Sequence, residues 1–332
     1  MKLERLATHR FVQEGSPLSS VVVDGVGLVC LVLSTDDWRY RLVVVSDAGD
    51  PRTVELEDLS PHEHGSRPAL LSTADGGIAI VADRDLVLHH PVVGGSARRI
   101  QIKNRRLLRD VVPVDARVMS LSSGLSDSSR YPISFELGPV RAEQPRHWAV
   151  LELDVARGRA AWTNWAALDP QGLEHYRSTD PPKVEALACR GDRLLVSTTG
   201  GRTTSVNKWG MDSWALLELQ LNGQLVSIPW GGEATPDDEK KRGVHVSFTS
   251  SDEFAVLTPH FASGEWKGKQ RLLRSDTGEV VEVGLPSGTG THARIIEHAD
   301  GVFWIWNADA EDGERSWSIT RARVGASASQ RP

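Results

Sequence analysis

Apolar residues recur along this chain in short runs of four to seven, rich in Val, Leu and Ile, broken every eight to twelve residues by Gly, Asp or Asn. Runs of that length and composition predict β-strands, and no stretch holds the 3.6-residue period of a long amphipathic helix. One hairpin pattern returns six times, as an apolar strand, a tight turn and a second apolar strand. It spans Val21–Val29, Leu70–Val81, Val111–Met119, Ala186–Val196, Val246–Val256 and Ile295–Ile305. With Asp24, Asp75, Asp115, Gly191, Asp252 and Asp300 as turn markers, the mean spacing is about fifty-five residues, so six units fill the 332 residues.

A second hairpin follows each first one. It is clearest in Trp148–Gly158 and Trp214–Gly223, which run on to Trp165 and Trp230. Leu151 and Leu153 alternate with Glu152, and Leu217 and Leu219 with Glu218, the period-two pattern of a strand with one buried face. Each unit therefore has four strands. The sixth lacks its last one after Ser316–Val324, and the segment from Leu3 to Phe11 is expected to supply it and close a ring, leaving no open sheet edges. The predicted fold is an all-β, six-bladed β-propeller of four-stranded antiparallel blades. A single domain spans 1–325, followed by a Ser-, Ala- and Pro-containing tail over 326–332.

Leu194–Thr199 followed by Gly200-Gly201, the Trp214 strand and Trp230 resembles a kelch repeat. The third unit, with Gly124 alone where a pair is expected, is less similar. The resemblance implies a propeller scaffold and no particular substrate.

In such a blade the first-to-second and third-to-fourth turns share one end, and the remaining connections share the other. The first end reads as tight turns (Asp24-Gly25, Asp75-Gly76, Asn222-Gly223) and the second as long loops of mixed polarity. Long loops on a rigid scaffold are where binding residues concentrate. Those loops carry aromatic and arginine side chains, the types enriched at binding hot spots: Trp38, Tyr40, Arg130, Tyr131, Arg202, Trp209, His260 and Trp266. The ordinary role of such Trp residues is to plug a loop base onto its blade.

Chemistry is sparse. His245, His260 and His292 should fall toward the long-loop end of units five and six, where three imidazoles could hold a metal with an open position. His62 and His64 form a further His-x-His step, and Asp110 and Glu185 are carboxylates near the expected channel. No Gly-x-Ser-x-Gly elbow occurs, so no serine-hydrolase arrangement is predicted, and no cofactor motif is present. Arg67, Arg109, Lys183, His245 and His292 at the strand entries make the mouth cationic or mixed, which suits a small anionic ligand or an acidic peptide.

The formal charge of -6 argues against general nucleic-acid affinity, with the basic run from Arg98 to Arg109 as a local exception that reads first as a solvated edge. No apolar run reaches the length of a signal or a membrane span. Cys30 and Cys189 sit in apolar runs as small core residues rather than as a disulfide. The expected setting is cytoplasmic, and the excess of Arg over Lys, 30 to 8, matches a high-GC bacterial genome. The sequence thus points to a binding or scaffolding propeller that grips a protein or peptide through its long-loop face. The alternative is a hydrolase or lyase, metal-dependent or not, at the channel mouth.

Overall fold

The structure, a computed structural model, describes residues 1–12, 15, 17–34, 36–46, 50–59, 68–83, 86–103, 117–121, 130–136, 147–167, 183–190, 193–199, 214–219, 225–228, 244–251, 253–259, 269–274, 276–290, 293–309 and 316–325. Every regular element among them is a strand, and none is a helix long and apolar enough to cross a membrane.

After β1 (Leu3–Val12) the chain builds four-stranded antiparallel units in sequence order. The first is β2 (Pro17–Val23), β3 (Gly27–Leu33), β4 (Tyr40–Val45) and β5 (Arg52–Glu55). The second is β6 (Ala69–Ser72), β7 (Ile78–Asp83), β8 (Leu86–His90) and β9 (Arg98–Lys103). The third holds β10 (Arg117–Leu121), β11 (Arg130–Glu136), β12 (His147–Asp154) and β13 (Arg159–Ala167). A short parallel pairing of β13 with β9, Ala160 opposite Ile102, joins the second and third units into one eight-stranded sheet. The fourth is β14 (Lys183–Arg190), β15 (Arg193–Thr199), β16 (Trp214–Leu219) and β17 (Leu225–Ile228). The fifth is β18 (Val244–Phe248), β19 (Phe254–Pro259), β20 (Lys269–Arg274) and β21 (Val280–Gly284). The last contains β22 (Arg294–Ala299), β23 (Val302–Asp309) and β24 (Ser316–Val324), and its outer position is taken by β1.

The β1–β24 pairing runs from Leu3 opposite Val324 to Val12 opposite Ser316. Phe11 stacks on Trp317 at 4.3 Å between ring centroids, and the Thr8 and Thr320 hydroxyls meet at 2.9 Å. The two ends of the chain are thereby held in one sheet.

The uniformly apolar run of β3 has a direct explanation. Val29 and Leu31 pack with Val21, Leu42, Val44, Leu70, Ile78 and Ile80, between the first and second units. Leu28, Cys30 and Val32 project the other way, against Trp304, Trp317 and Ile319 of the last unit. A strand buried on both faces cannot show period-two alternation. Each fully buried Val or Leu contributes about 1.5–3 kcal/mol. A third cluster, with Val256, Leu272, Ile295, Phe303, Ile305 and Leu3, lies between the fifth and last units. The first strands also touch along the chain: β2 with β6, β6 with β10, β10 with β14, β14 with β18, and β22 with β2, while β19 touches β22.

Turn chemistry follows the sequence. Asp300 (φ 52) and Gly301 (φ 73) form the two-residue turn between β22 and β23, with both residues left-handed as a tight hairpin requires. Gly27, at φ 108, lies so close to the Val45 carbonyl that a Cβ would sit 2.4 Å from that oxygen.

The third unit differs from the sequence expectation. Its first strand is β10, and its second is β11, not a loop. Ile133 pairs with Ala149 and Tyr131 with Leu151, so the Tyr-Pro-Ile-Ser-Phe segment supplies the partner that β12 needs. The hairpin expected at Asp115 lies outside the described residues except for its end on β10.

Candidate binding face

The strand bounds separate two ends. At one, the links between first and second strands cover 24–26, 73–77, 122–129, 191–192, 249–253 and 300–301, all but the third unit's being short. At the other, the links from each fourth strand to the next first strand cover 56–68, 104–116, 168–182, 229–243 and 285–293. The second-to-third links there include 34–39, 137–146, 200–213 and 260–268. The second unit is an exception, since 84–85 alone joins β7 to β8.

The 34–39 connection is the described part of that end with the clearest surface chemistry. The buried Ser34 anchors it, because its N–H donates to the Arg39 carbonyl at 2.9 Å and its hydroxyl accepts from the Asp36 N–H at 3.4 Å. Asp37 accepts from the Arg39 N–H at 3.2 Å and meets the Arg41 guanidinium at 2.8 Å. Arg41 also reaches Glu55 at 2.7 Å, so one guanidinium ties the loop to β5. The Asp37 carboxyl is held below its ordinary range, chiefly by the Ser34 hydroxyl. At the tip stands Trp38, 60% exposed and left-handed at φ 56. A bulky non-glycine residue in that region stores strain, and the indole is mostly exposed rather than packed in the core.

Other expected site residues divide three ways. Tyr40 is corrected to the core: it opens β4, is 3% exposed and packs with Val21, Leu42 and Leu59. It ends the loop instead of decorating it. Arg130 and Tyr131 are strand residues at the start of β11, opposite Glu152 and Leu151. Arg202, Trp209, His260 and Trp266 lie outside the described residues, as does His292, while His245 is on β18 opposite Thr258. Two of the three histidines expected to converge, His260 and His292, thus fall outside the described residues, and among the described residues no group of three His, Cys, Asp or Glu is arranged to hold a metal. His62, His64 and Asp110 also fall outside the described residues.

A polar cluster that sequence reading missed lies between the strands. Glu297 on β22 is 2% exposed. Its carboxyl accepts from the Ser250 N–H at 3.1 Å, from the Ser250 hydroxyl at 2.9 Å and from the Ser20 hydroxyl at 3.4 Å. The Ser250 oxygen in turn accepts from the Val22 N–H at 3.2 Å. Burial pushes Glu297 up to about 8, against the lowering effect of these donors. Burial thus favours the protonated, neutral form of this carboxyl. Nearby, His298 is 1% exposed and kept neutral mainly by burial, with Nδ1 2.8 Å from the Ser251 hydroxyl.

No family model matches the chain, and no curated protein matches it. Solved structures do. A sialidase from Trypanosoma rangeli, in complex with the inhibitor DANA, is similar over 93% of this chain at 11% identity with a TM-score of 0.50. This chain spans 55% of that sialidase, about half its length. YCF48 from Cyanidioschyzon merolae is similar over 95% of this chain and 98% of its own, at 12% identity and a TM-score of 0.40. An exo-beta-1,3-galactanase from Clostridium thermocellum matches over 96% and 97% at 10% identity and a TM-score of 0.37. These are β-propeller-like folds. With its succession of four-stranded antiparallel units, the chain has a β-propeller fold.

Proposed function

We propose that the chain is a six-bladed β-propeller, closed by β1, that engages its ligand at the end carrying the long connections. The observation that carries the six-bladed reading is the run of contacts between successive units, through β2, β6, β10, β14 and β18, then from β19 to β22, which returns from β22 to β2. The continuous cores on either side of the first unit support it as well.

For the chemistry at that end, the enzymatic reading takes precedence over scaffolding: a hydrolase or lyase at the mouth of the channel. What supports it is the fold shared with a sialidase that was captured with an inhibitor. The fold itself hosts many activities, so the test is direct. Purified protein is assayed for metal content and for turnover of a panel of fluorogenic glycosides, esters and peptides. Turnover that is lost on changing His245, His260 or His292 supports this reading, and an inactive protein with no thermal shift toward any small molecule counts against it.

The second reading, a protein- or peptide-binding module, is favoured by Trp38, a strained and exposed indole beside the Arg41–Asp37–Glu55 ion pairs. Exposed Trp and Arg at a rim are typical anchors of a partner. Co-purification of partners by the wild-type chain and by Trp38→Ala or Trp266→Ala distinguishes the two readings. Loss of a defined partner from either variant supports binding, and an unchanged set of partners rejects it.

A further inference from the structure

We propose that separating the last unit from the first and fifth is coupled to the release of one proton from Glu297, so that this seam is tightest in acid and loosens as the pH rises. The geometry comes first. Glu297 on β22 touches Ser20 on β2 of the first unit and Ser250 just after β18 of the fifth, and Ser250 also holds the Val22 amide of β2. One carboxyl therefore ties the fifth, last and first units, and the last unit carries both ends of the chain.

Among the described residues, the surroundings give that carboxyl no compensating charge. Cys30 on β3 faces it as a thiol, pushed up by burial and by Glu297 itself. Arg294, on the same strand, has its guanidinium stacked over Trp306 at 4.8 Å and is partly buried. From β2 and from the described residues of the β18–β19 turn, Glu297 meets the Ser20 and Ser250 hydroxyls and one amide. A carboxylate in such a site loses more in solvation than three neutral donors return. With the proton on Oε1, the carboxyl becomes a donor to the Ser20 oxygen while Oε2 keeps both bonds from Ser250.

The sign follows from linkage. Closed, the group titrates near 8; opened to water, near its ordinary 4.5. Between those values the open form has lost the proton that the closed form keeps. The opening equilibrium then rises about tenfold per pH unit and levels off once both forms are ionised. Above that point pH adds nothing further.

The test is amide hydrogen exchange of the full chain from pH 5 to pH 9, corrected for the intrinsic exchange rate and read at Val22 and Ser250. The wild type should show opening that climbs about tenfold per unit and flattens above pH 8. Glu297→Gln, whose amide carbonyl can take both Ser250 bonds and whose NH2 can face Ser20, should show a flat profile. A parallel rise in both proteins overturns the proposal, as does a flat wild-type profile. Infrared spectra of the wild type with 13C-labelled Glu need no variant: a protonated-carboxyl band present at pH 6 and lost by pH 9 supports the proposal, and its absence at pH 6 refutes it.

Discussion

The Ser250 hydroxyl lies 2.9 Å from Oε2 of Glu297, 47 residues later in the chain, and the same oxygen accepts the Val22 amide at 3.2 Å. One small side chain thereby serves two other units at once. Ser250→Ala leaves a buried amide and a buried carboxyl each short of a partner, at a cost of about 1–3 kcal/mol. Urea unfolding at pH 7 should show a lower midpoint with an unchanged slope; an unchanged midpoint would mean that the bonds are formed equally well in the denatured chain or replaced by water.

Trp38 separates binding from stability. It is strained and exposed, so Trp38→Gly relieves the left-handed backbone and removes no core contact. The melting temperature should hold or rise while any ligand engaged by the 34–39 loop is lost. A drop of several degrees would show that the indole has a packing role.

Gly27 is held by two constraints, its positive φ and the Val45 carbonyl that a Cβ would meet at 2.4 Å. Gly77 stands at the matching place in the second unit, where the His90 carbonyl would lie 2.3 Å away. Gly27→Ala should cost about 2 kcal/mol or more, since backbone must move to admit the methyl group. The same change at Gly25, which meets nothing within 4 Å, should cost less. Equal midpoints for the two variants in urea would contradict the close approach.

Asp75 gives an acid-side prediction. Burial raises its pKa, but the Thr73 hydroxyl, the His89 imidazole and the Gly77 amide outweigh that and hold it below the ordinary value. The stability it contributes is present above the unfolded carboxylate pKa and lost as the pH falls through the folded one. Asp75→Asn should therefore be less stable than wild type at pH 7, and the difference should shrink as the pH is lowered past the normal carboxylate range. A difference that stayed constant with pH would assign the loss to shape rather than charge.

Much of this architecture is legible in the sequence because its signals are local. Asp24-Gly25, Asp75-Gly76 and Asp300-Gly301 mark hairpin turns that the structure forms, and the apolar runs around them are its strands. The third unit was harder. A proline at position 132 inside a segment flanked by turn residues reads as loop, yet long-range pairing with β12 makes it a strand. Tyr40 and Glu297 were misjudged or missed for a related reason. Which way a side chain faces, and what covers it, is set by pairing between distant segments: Glu297 lies opposite Trp304 after a bulge that follows Ile295, and is covered by Ser20 and Ser250 of other units. No composition or period announces such a bulge.

The central claim is a ring of six four-stranded blades whose last blade is completed by the N-terminal strand. An experimentally determined electron-density map of the full chain tests it most directly. It should show six blades around one axis, with residues 3–12 outermost beside Ser316–Val324 and β22 against β2. A different number of blades, or an N-terminal segment paired elsewhere, would contradict it.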